Sequence, residues 1–378
     1  MGYLKNIKDS FRLKHYINYI VIALFLVAII IFGEAGMLKR STITLLTRVA
    51  YSIILAVSLN LVVGFLGELS LGHAGFMCVG AYIGCYVANI LHSYIDSALI
   101  ILIISMIVGG LVASVCGFII GLPALRLKGD YLAIVTLAFG EIVRNIFKNL
   151  SVFGGAMGLN TIKYPSNSLY IIAFVMVLLV LILVQNLIRS KHGRAITAIR
   201  DNEISAKAMG INVTFYKLFV FVVAAFFAGI AGTIYGHFTT PVLYTFFSYN
   251  YSIEILVMVV LGGMGNINGS IIAATLITYI NFVLQNELSG DLAALKLLIY
   301  ALILIFVVLY NNAPVFQGIR AKLSIKNFLN KFRKEKSPEH FSDDEADWHR
   351  ITTKIKMDEV LSTELQPNKY NDQWGGGE

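Results

Sequence analysis

Long uncharged runs constrain this chain before anything else does. Tyr16–Phe32, Ser97–Leu122 and Ser168–Ile188 contain no Asp, Glu, Lys or Arg. A bilayer core is spanned by about 20 consecutive apolar residues, and several blocks here reach that length. Soluble domains are about half apolar and a quarter charged. This chain is 57% hydrophobic and 14% charged, with a mean hydropathy of +0.75. Six prolines over 378 residues leave little room for extended loops or a soluble β domain. The class implied is an all-α integral membrane protein.

The apolar pattern gives about ten transmembrane segments, at 16–33, 45–66, 69–91, 98–122, 131–148, 168–188, 214–236, 252–263, 269–286 and 296–311. The eighth and ninth come from one uncharged stretch, Ile255–Asn286, which is 32 residues long and too long for a single span. Gly262-Gly263-Met264-Gly265 breaks it near its middle, so one of the two pieces is expected to be short or re-entrant. Lys5, Lys8, Arg12 and Lys14 precede the first run as in a signal peptide. That run is long, however, and Ile31-Phe32-Gly33-Glu34 is a poor cleavage site, so it reads as a retained anchor.

Basic residues sort to the cytoplasmic side of membrane segments. Residues 1–317 hold 19 Lys/Arg against 11 Asp/Glu, and the remainder holds 11 of each. The N-terminal arm, the loop with Arg126 and Lys128, and the segment with Arg189, Lys191, Arg194, Arg200 and Lys207 fall on one side of an even number of spans. The loop 237–251 has no Lys or Arg and falls on the other. The orientation expected is N-in, C-in, with Lys39 and Arg40 as exceptions. Because the charge follows topology, no nucleic-acid partner is expected. Residues 1–318 form the membrane domain, and 319–378 form a hydrophilic cytoplasmic tail too poor in apolar surface to order itself.

Catalytic signatures are absent from the sequence. It has no G-x-x-x-x-G-K-[ST] phosphate loop, no H-E-x-x-H, no G-x-S-x-G and no clustered His/Cys set. Cys78, Cys85 and Cys116 lie inside apolar segments without zinc or disulfide spacing. The chain is therefore not expected to be an enzyme or to carry a cofactor or metal.

Two regions stand out instead. In Gly193–Gly210, Asp201 suits an N-cap, Glu203 suits the positive end of a helix and pairs with Lys207 at i,i+4, and Gly210 suits a left-handed stop. The helix expected presents Ile204, Ala208 and Met209 on one side. It suits docking into a groove on a partner, and equally suits lying on lipid headgroups. The second feature is a pair of glycine-broken stretches, Asn60–Gly75 and Gly262–Gly269. Interrupted apolar segments in matching halves point to a substrate pathway, and close packing through small residues is the alternative. Charges at bilayer depth need partners or water. Glu141 and Arg144 can pair at i,i+3, Glu68 and His73 flank the first break, and Glu254 sits at a segment end. The pathway candidates are Asn60, Gly64, Glu68, Ser70, Gly72, His73, Glu141, Gly262, Gly263 and Gly265.

Four blocks, Asn60–Gly84, Leu127–Asn145, Gly193–Gly232 and Glu254–Gly269, closely resemble the permeases of branched-chain amino acid ABC importers, in particular the M-type of their two permease subunits. The resemblance implies the ABC importer permease fold in a bacterial plasma membrane. Its implied partners are a second related permease subunit, two cytoplasmic ABC ATPase subunits and an extracytoplasmic substrate-binding protein, all set among membrane lipids. It also makes 193–210 the ATPase-coupling helix, carried here by Arg194, Arg200, Asp201, Glu203, Ile204, Lys207, Ala208, Met209 and Gly210. The cargo implied is Leu, Ile or Val, moved by ATP hydrolysed on other chains. Related permeases move urea, amides, sugars or nucleosides. An ion-coupled carrier using Glu68, His73 and Glu141, or a membrane scaffold, are readings from other classes. Asn311–Gly318 departs from the Arg-Pro-x-Gly pattern common after the last span of the family.

Overall fold

The computed structural model describes residues 39–287 other than 128, 163 and 165, together with 302 and 305. The expected anchor at 16–33, nearly all of the crossing at 296–311, and the tail lie outside the described residues. Helix α1, Arg40–Asn60, runs straight into a π-helical turn, Leu61–Leu66. Helices α2 (His73–Leu91), α3 (Ala98–Ala124), α4 (Asp130–Asn149) and α5 (Ser166–Arg189) follow. Two short helices, α6 (Lys191–Asp201) and α7 (Glu203–Ala208), precede α8 (Val213–Phe238), α9 (Tyr249–Gly262) and α10 (Ile267–Glu287).

Six of these helices are long and apolar enough to cross a membrane: α1 with its π extension, α2, α3, α5, α8 and α10. The other two expected crossings among the described residues are helical but different in kind. Helix α4 carries Asp130, Glu141, Arg144 and Lys148 along its length. Helix α9 has 14 residues, about 21 Å at 1.5 Å per residue, against a hydrocarbon core of about 30 Å.

Side-chain size sorts the faces of helices that are apolar all round. On α3, Gly109, Gly110, Ala113 and Gly117 turn inward, whereas Ile103, Ile107, Leu111 and Phe118 are exposed. Such a face is left bare only where lipid or another membrane chain covers it. On α10, Ala273, Ala274 and Ile277 are buried and Ile272, Leu276 and Tyr279 are exposed. Helix α1 has no lipid-like face in its second half, for every residue from Val49 to Leu66 is buried. It is the post around which the bundle is built.

Helices α2 and α8 meet backbone to backbone. Thr233 Oγ1 donates to Gly80 O at 3.0 Å, and a Cβ placed on Gly80 would lie 2.1 Å from Gly229 O. This is the small-residue contact by which helices associate where lipid removes the hydrophobic driving force. Beyond α8 the chain turns back into the bundle. Phe246 stacks on Tyr235 at 4.2 Å between ring centroids, and Phe247 is buried beside Tyr82. Leu159 and Val242 exchange backbone hydrogen bonds and tie this return to the α4–α5 connection.

Gly80→Ala is expected to force α2 and α8 apart, at the roughly 1–3 kcal/mol typical of overpacking. The check is a lower apparent melting temperature in detergent, set beside the exposed control Ile107→Ala, which should leave it unchanged.

Candidate functional site

The two glycine-broken stretches, some two hundred residues apart in sequence, form one junction. After the π turn, Gly67 takes a left-handed conformation (φ 81°) and the chain stays unwound to Gly72, which is why α2 begins at His73 rather than at 69. The second stretch leaves α9 through Gly263 (φ 88°) and Gly265 (φ 79°). Asn60 joins the two. Its Oδ1 accepts from Gly265 N at 2.9 Å, and its Nδ2 donates to Ser270 Oγ at 3.0 Å. Gly64 lies so close that a Cβ there would come within 2.2 Å of Gly265 N. Buried backbone must find its hydrogen bonds inside the protein, and a fully buried asparagine supplies them here.

The segment after α5 lies against this junction as two helices rather than one. Ser190 Oγ caps α6 by accepting from His192 N and Gly193 N. Asp201 is not an N-cap, contrary to expectation. It is the last residue of α6, and its carboxylate is held by Arg200 at 2.9 Å. The cap of α7 is Asn202, whose backbone is extended and whose Oδ1 accepts from Ser205 N at 3.0 Å. Gly210, with φ 82°, closes α7 as expected. Gly210 N bonds to Lys207 O and Ile211 N to Ala206 O, the paired bonds of a Schellman stop. Ile204 and Met209 are 81% and 83% exposed, and Ala208, Lys207 and Arg194 are also exposed.

Three side chains tie α6 and α7 to the first break. Arg200 Nη1 donates to Gly64 O at 3.1 Å, and the Arg200 stem covers Gly67 so closely that a Cβ there would sit 2.7 Å from Arg200 Cγ. Lys217, in the second turn of α8, bonds Glu68 at 2.5 Å and Glu203 at 3.3 Å. The Lys217 and Glu68 side chains are 5% and 13% exposed. Glu203, expected to pair within its helix, thus reaches another one. Lys217 was missed by sequence reasoning, although a lone lysine in the apolar run Val213–Val223 is itself the signal.

The remaining candidates divide. His73 Nε2 and Ser58 Oγ are 2.8 Å apart in the core, and Ala74 N donates to Ser252 Oγ at 3.0 Å. Leu71 N donates to Thr136 Oγ1 beside Gly72, and the Ser70 hydroxyl is buried without a hydrogen-bond partner among the described residues. Gly262 packs on Gly269 at the second turn. Glu141 is on α4 and belongs to another contact. It pairs with Arg144 at 2.6 Å and accepts from Tyr249 N at 3.0 Å, capping the positive end of α9. Glu254, expected at a segment end facing water, accepts from Asn281 of α10.

Residues 41–308 match the family model described as the permease component of the branched-chain amino acid transport system. The chain belongs to this permease family. It is 34% identical over 342 residues to the high-affinity branched-chain amino acid transport system permease protein LivM of Escherichia coli (strain K12), covering 80% of this chain and 77% of that one. The LivM of Salmonella typhimurium shows the same identity and coverage. A probable LivM of Methanocaldococcus jannaschii is 28% identical over 253 residues, 57% of this chain and 73% of its own. No solved structure matches. The matched part of the permease contains both breaks, α6, α7 and Lys217.

Removing one partner of a buried ion pair costs about 3–5 kcal/mol, because the other charge is left uncompensated. Lys217→Met in this permease should therefore destabilise it strongly, and adding Glu68→Gln should recover part of the loss. A double-mutant cycle on detergent melting measures the coupling. Additive losses would show that the pair is not formed.

Proposed function

We propose that this permease is the membrane-spanning subunit of an ATP-driven importer of branched-chain amino acids in a bacterial plasma membrane. ATP is hydrolysed on two cytoplasmic partner chains. A second related permease completes the pathway, and an external binding protein delivers the solute. The observation that carries the reading is the buried Lys217, which holds Glu203 of α7 and Glu68 of the first break at once. Together with Arg200 on Gly64 O, it makes α7 and the break move as one body. Ile204 and Met209, both outward on this short helix, are the apolar knob an ATPase groove would grip. Force applied there reaches the point where the two broken helices meet.

The basic residues around α6 and α7 support a cytoplasmic position for that knob, on the side where ATP is available. The competing ion-coupled reading needs carboxylates or a histidine able to load and release a proton or cation. Glu68 is engaged by Lys217, His73 by Ser58, and Glu141 by Arg144 and Tyr249 N. That engagement favours switching by partner subunits.

Reconstitution with both partner permease and ATPase subunits, binding protein and ATP is expected to give leucine, isoleucine or valine uptake. Uptake driven by an ion gradient without ATPase subunits would overturn the proposal. Gly210→Val places a β-branched residue in a left-handed position, at roughly 1–2 kcal/mol. Its effect should fall on α7, weakening ATPase docking about five- to thirtyfold while leaving membrane insertion intact. Co-purification of the ATPase with the variant checks this.

A further inference from the structure

A groove of about 610 Å³ runs between α3, α5 and α8, away from the junction of the two breaks. Leu183, Leu187 and Ser190 at the end of α5 form one wall, and Phe219, Val223 and Phe226 of α8 form the other. Both hydroxyls in its lining are already committed. Ser114 Oγ of α3 donates to Leu111 O at 2.7 Å, and Ser190 Oγ donates to Leu187 O at 2.6 Å. The walls therefore offer a polar solute nothing, and what they suit is hydrocarbon. The same helices expose Leu179 and Ile182 of α5 and Val115 and Ile119 of α3, as faces that meet lipid do. From Leu183 to Ser190, and likewise from Phe219 to Phe226, each wall is about 10 Å long at 1.5 Å per residue. That is too short a seam for a partner helix crossing a core of about 30 Å. It lies within the depth of one leaflet.

One end of the groove is basic. Ser190 is followed at once by Lys191 and His192, and Arg194 stands four residues on, the helical spacing that brings two side chains to one face. Lys191 and Arg194 are exposed and have no ion-pair partner among the described residues. His192 Nδ1 and the Tyr216 hydroxyl, 3.2 Å apart, join α6 to α8 at this end, and Phe215 beside them is 57% exposed. Tyrosines of this kind gather where membrane meets water, and basic pockets between membrane helices take anionic headgroups. We propose that the groove is a site for one anionic phospholipid, with an acyl chain between α3, α5 and α8 and the headgroup phosphate on Lys191 and Arg194. The inference goes beyond the transport reading and needs neither the cargo nor the ATPase. The headgroup holds the start of α6, whose far end holds Gly64 O through Arg200.

The test uses the assembled transporter in nanodiscs that contain a trace of phosphatidylglycerol or phosphatidylcholine with a diazirine on the acyl chain. After illumination, mass spectrometry locates the label. Label from phosphatidylglycerol is expected on Leu183, Leu187, Phe219 and Val223, about twentyfold above that from phosphatidylcholine, whose choline neutralises its own phosphate. The ratio follows from two basic residues at roughly fivefold each. Lys191→Gln and Arg194→Gln should each lower the phosphatidylglycerol label about fivefold and leave the phosphatidylcholine label unchanged. Val223→Trp, which fills the groove, should abolish the label on the other three residues. No label on these residues, as when a partner chain covers the groove, would overturn the site. So would equal labelling by the two lipids, or wild-type labelling in both charge variants. Because Lys191 and Arg194 are exposed and the lipid comparison uses the wild type, the outcome does not depend on Val223→Trp folding. Both leaflets of the disc have one composition, so neither orientation nor transport enters the result. ATP-driven leucine uptake, measured separately, decides the transport reading, and a missing lipid label leaves that reading standing.

Discussion

Breaking a helix inside a packed bundle frees amides and carbonyls that apolar surroundings cannot satisfy, and the centre of this permease is organised by how that problem is met. The amide of Asn60 answers for the second break, and the guanidinium of Arg200 answers for a carbonyl of the first. Neither solution is local. Each places a side chain from one part of the sequence against the backbone of another. The fully buried second half of α1 follows, because it must be surrounded by the segments whose backbone it serves.

The same economy governs charge. Lys217 is costly to bury, and it is held by two carboxylates from elements that sequence alone would not pair. Glu141 shows a second solution, in which one carboxylate serves both Arg144 and the exposed end of α9. That arrangement serves the exposed first turn of α9, which follows directly on a linker that returns inward on Phe246 and Phe247. The short helix and the acidic residue are two halves of one device.

Much of this was legible in the sequence, for reasons that can be named. The helices α3 and α5 follow from uncharged runs and α8 from an apolar run interrupted by Lys217, and their observed bounds lie within a few residues of those expected. Gly210 was readable because only a left-handed stop needs glycine at that point. Both breaks were readable as glycine clusters, but their meeting was not, because nothing local in Gly262–Gly269 names Asn60 as its partner. The cap of α7 was assigned one residue early. Asp201 and Asn202 are both good caps by composition, and the choice is made by Arg200, which takes the aspartate. Lys217 was hidden by its setting, counted with the apolar run around it, while the Glu141–Arg144 pair was readable from its i,i+3 spacing. Pairing across elements is a tertiary property, and spacing along the chain does not encode it.

The π turn at Leu61–Leu66 has one consequence for how such a protein could work. A π turn differs from an α turn by about one residue of winding. Rewinding it would leave α1 unbroken yet rotate everything beyond by roughly 100° about the axis. Gly67 would swing from under Arg200, and Glu68 would swing away from Lys217. A hinge at this turn would be stored as surplus chain rather than as a flexible loop, with a twist of one residue as its stroke.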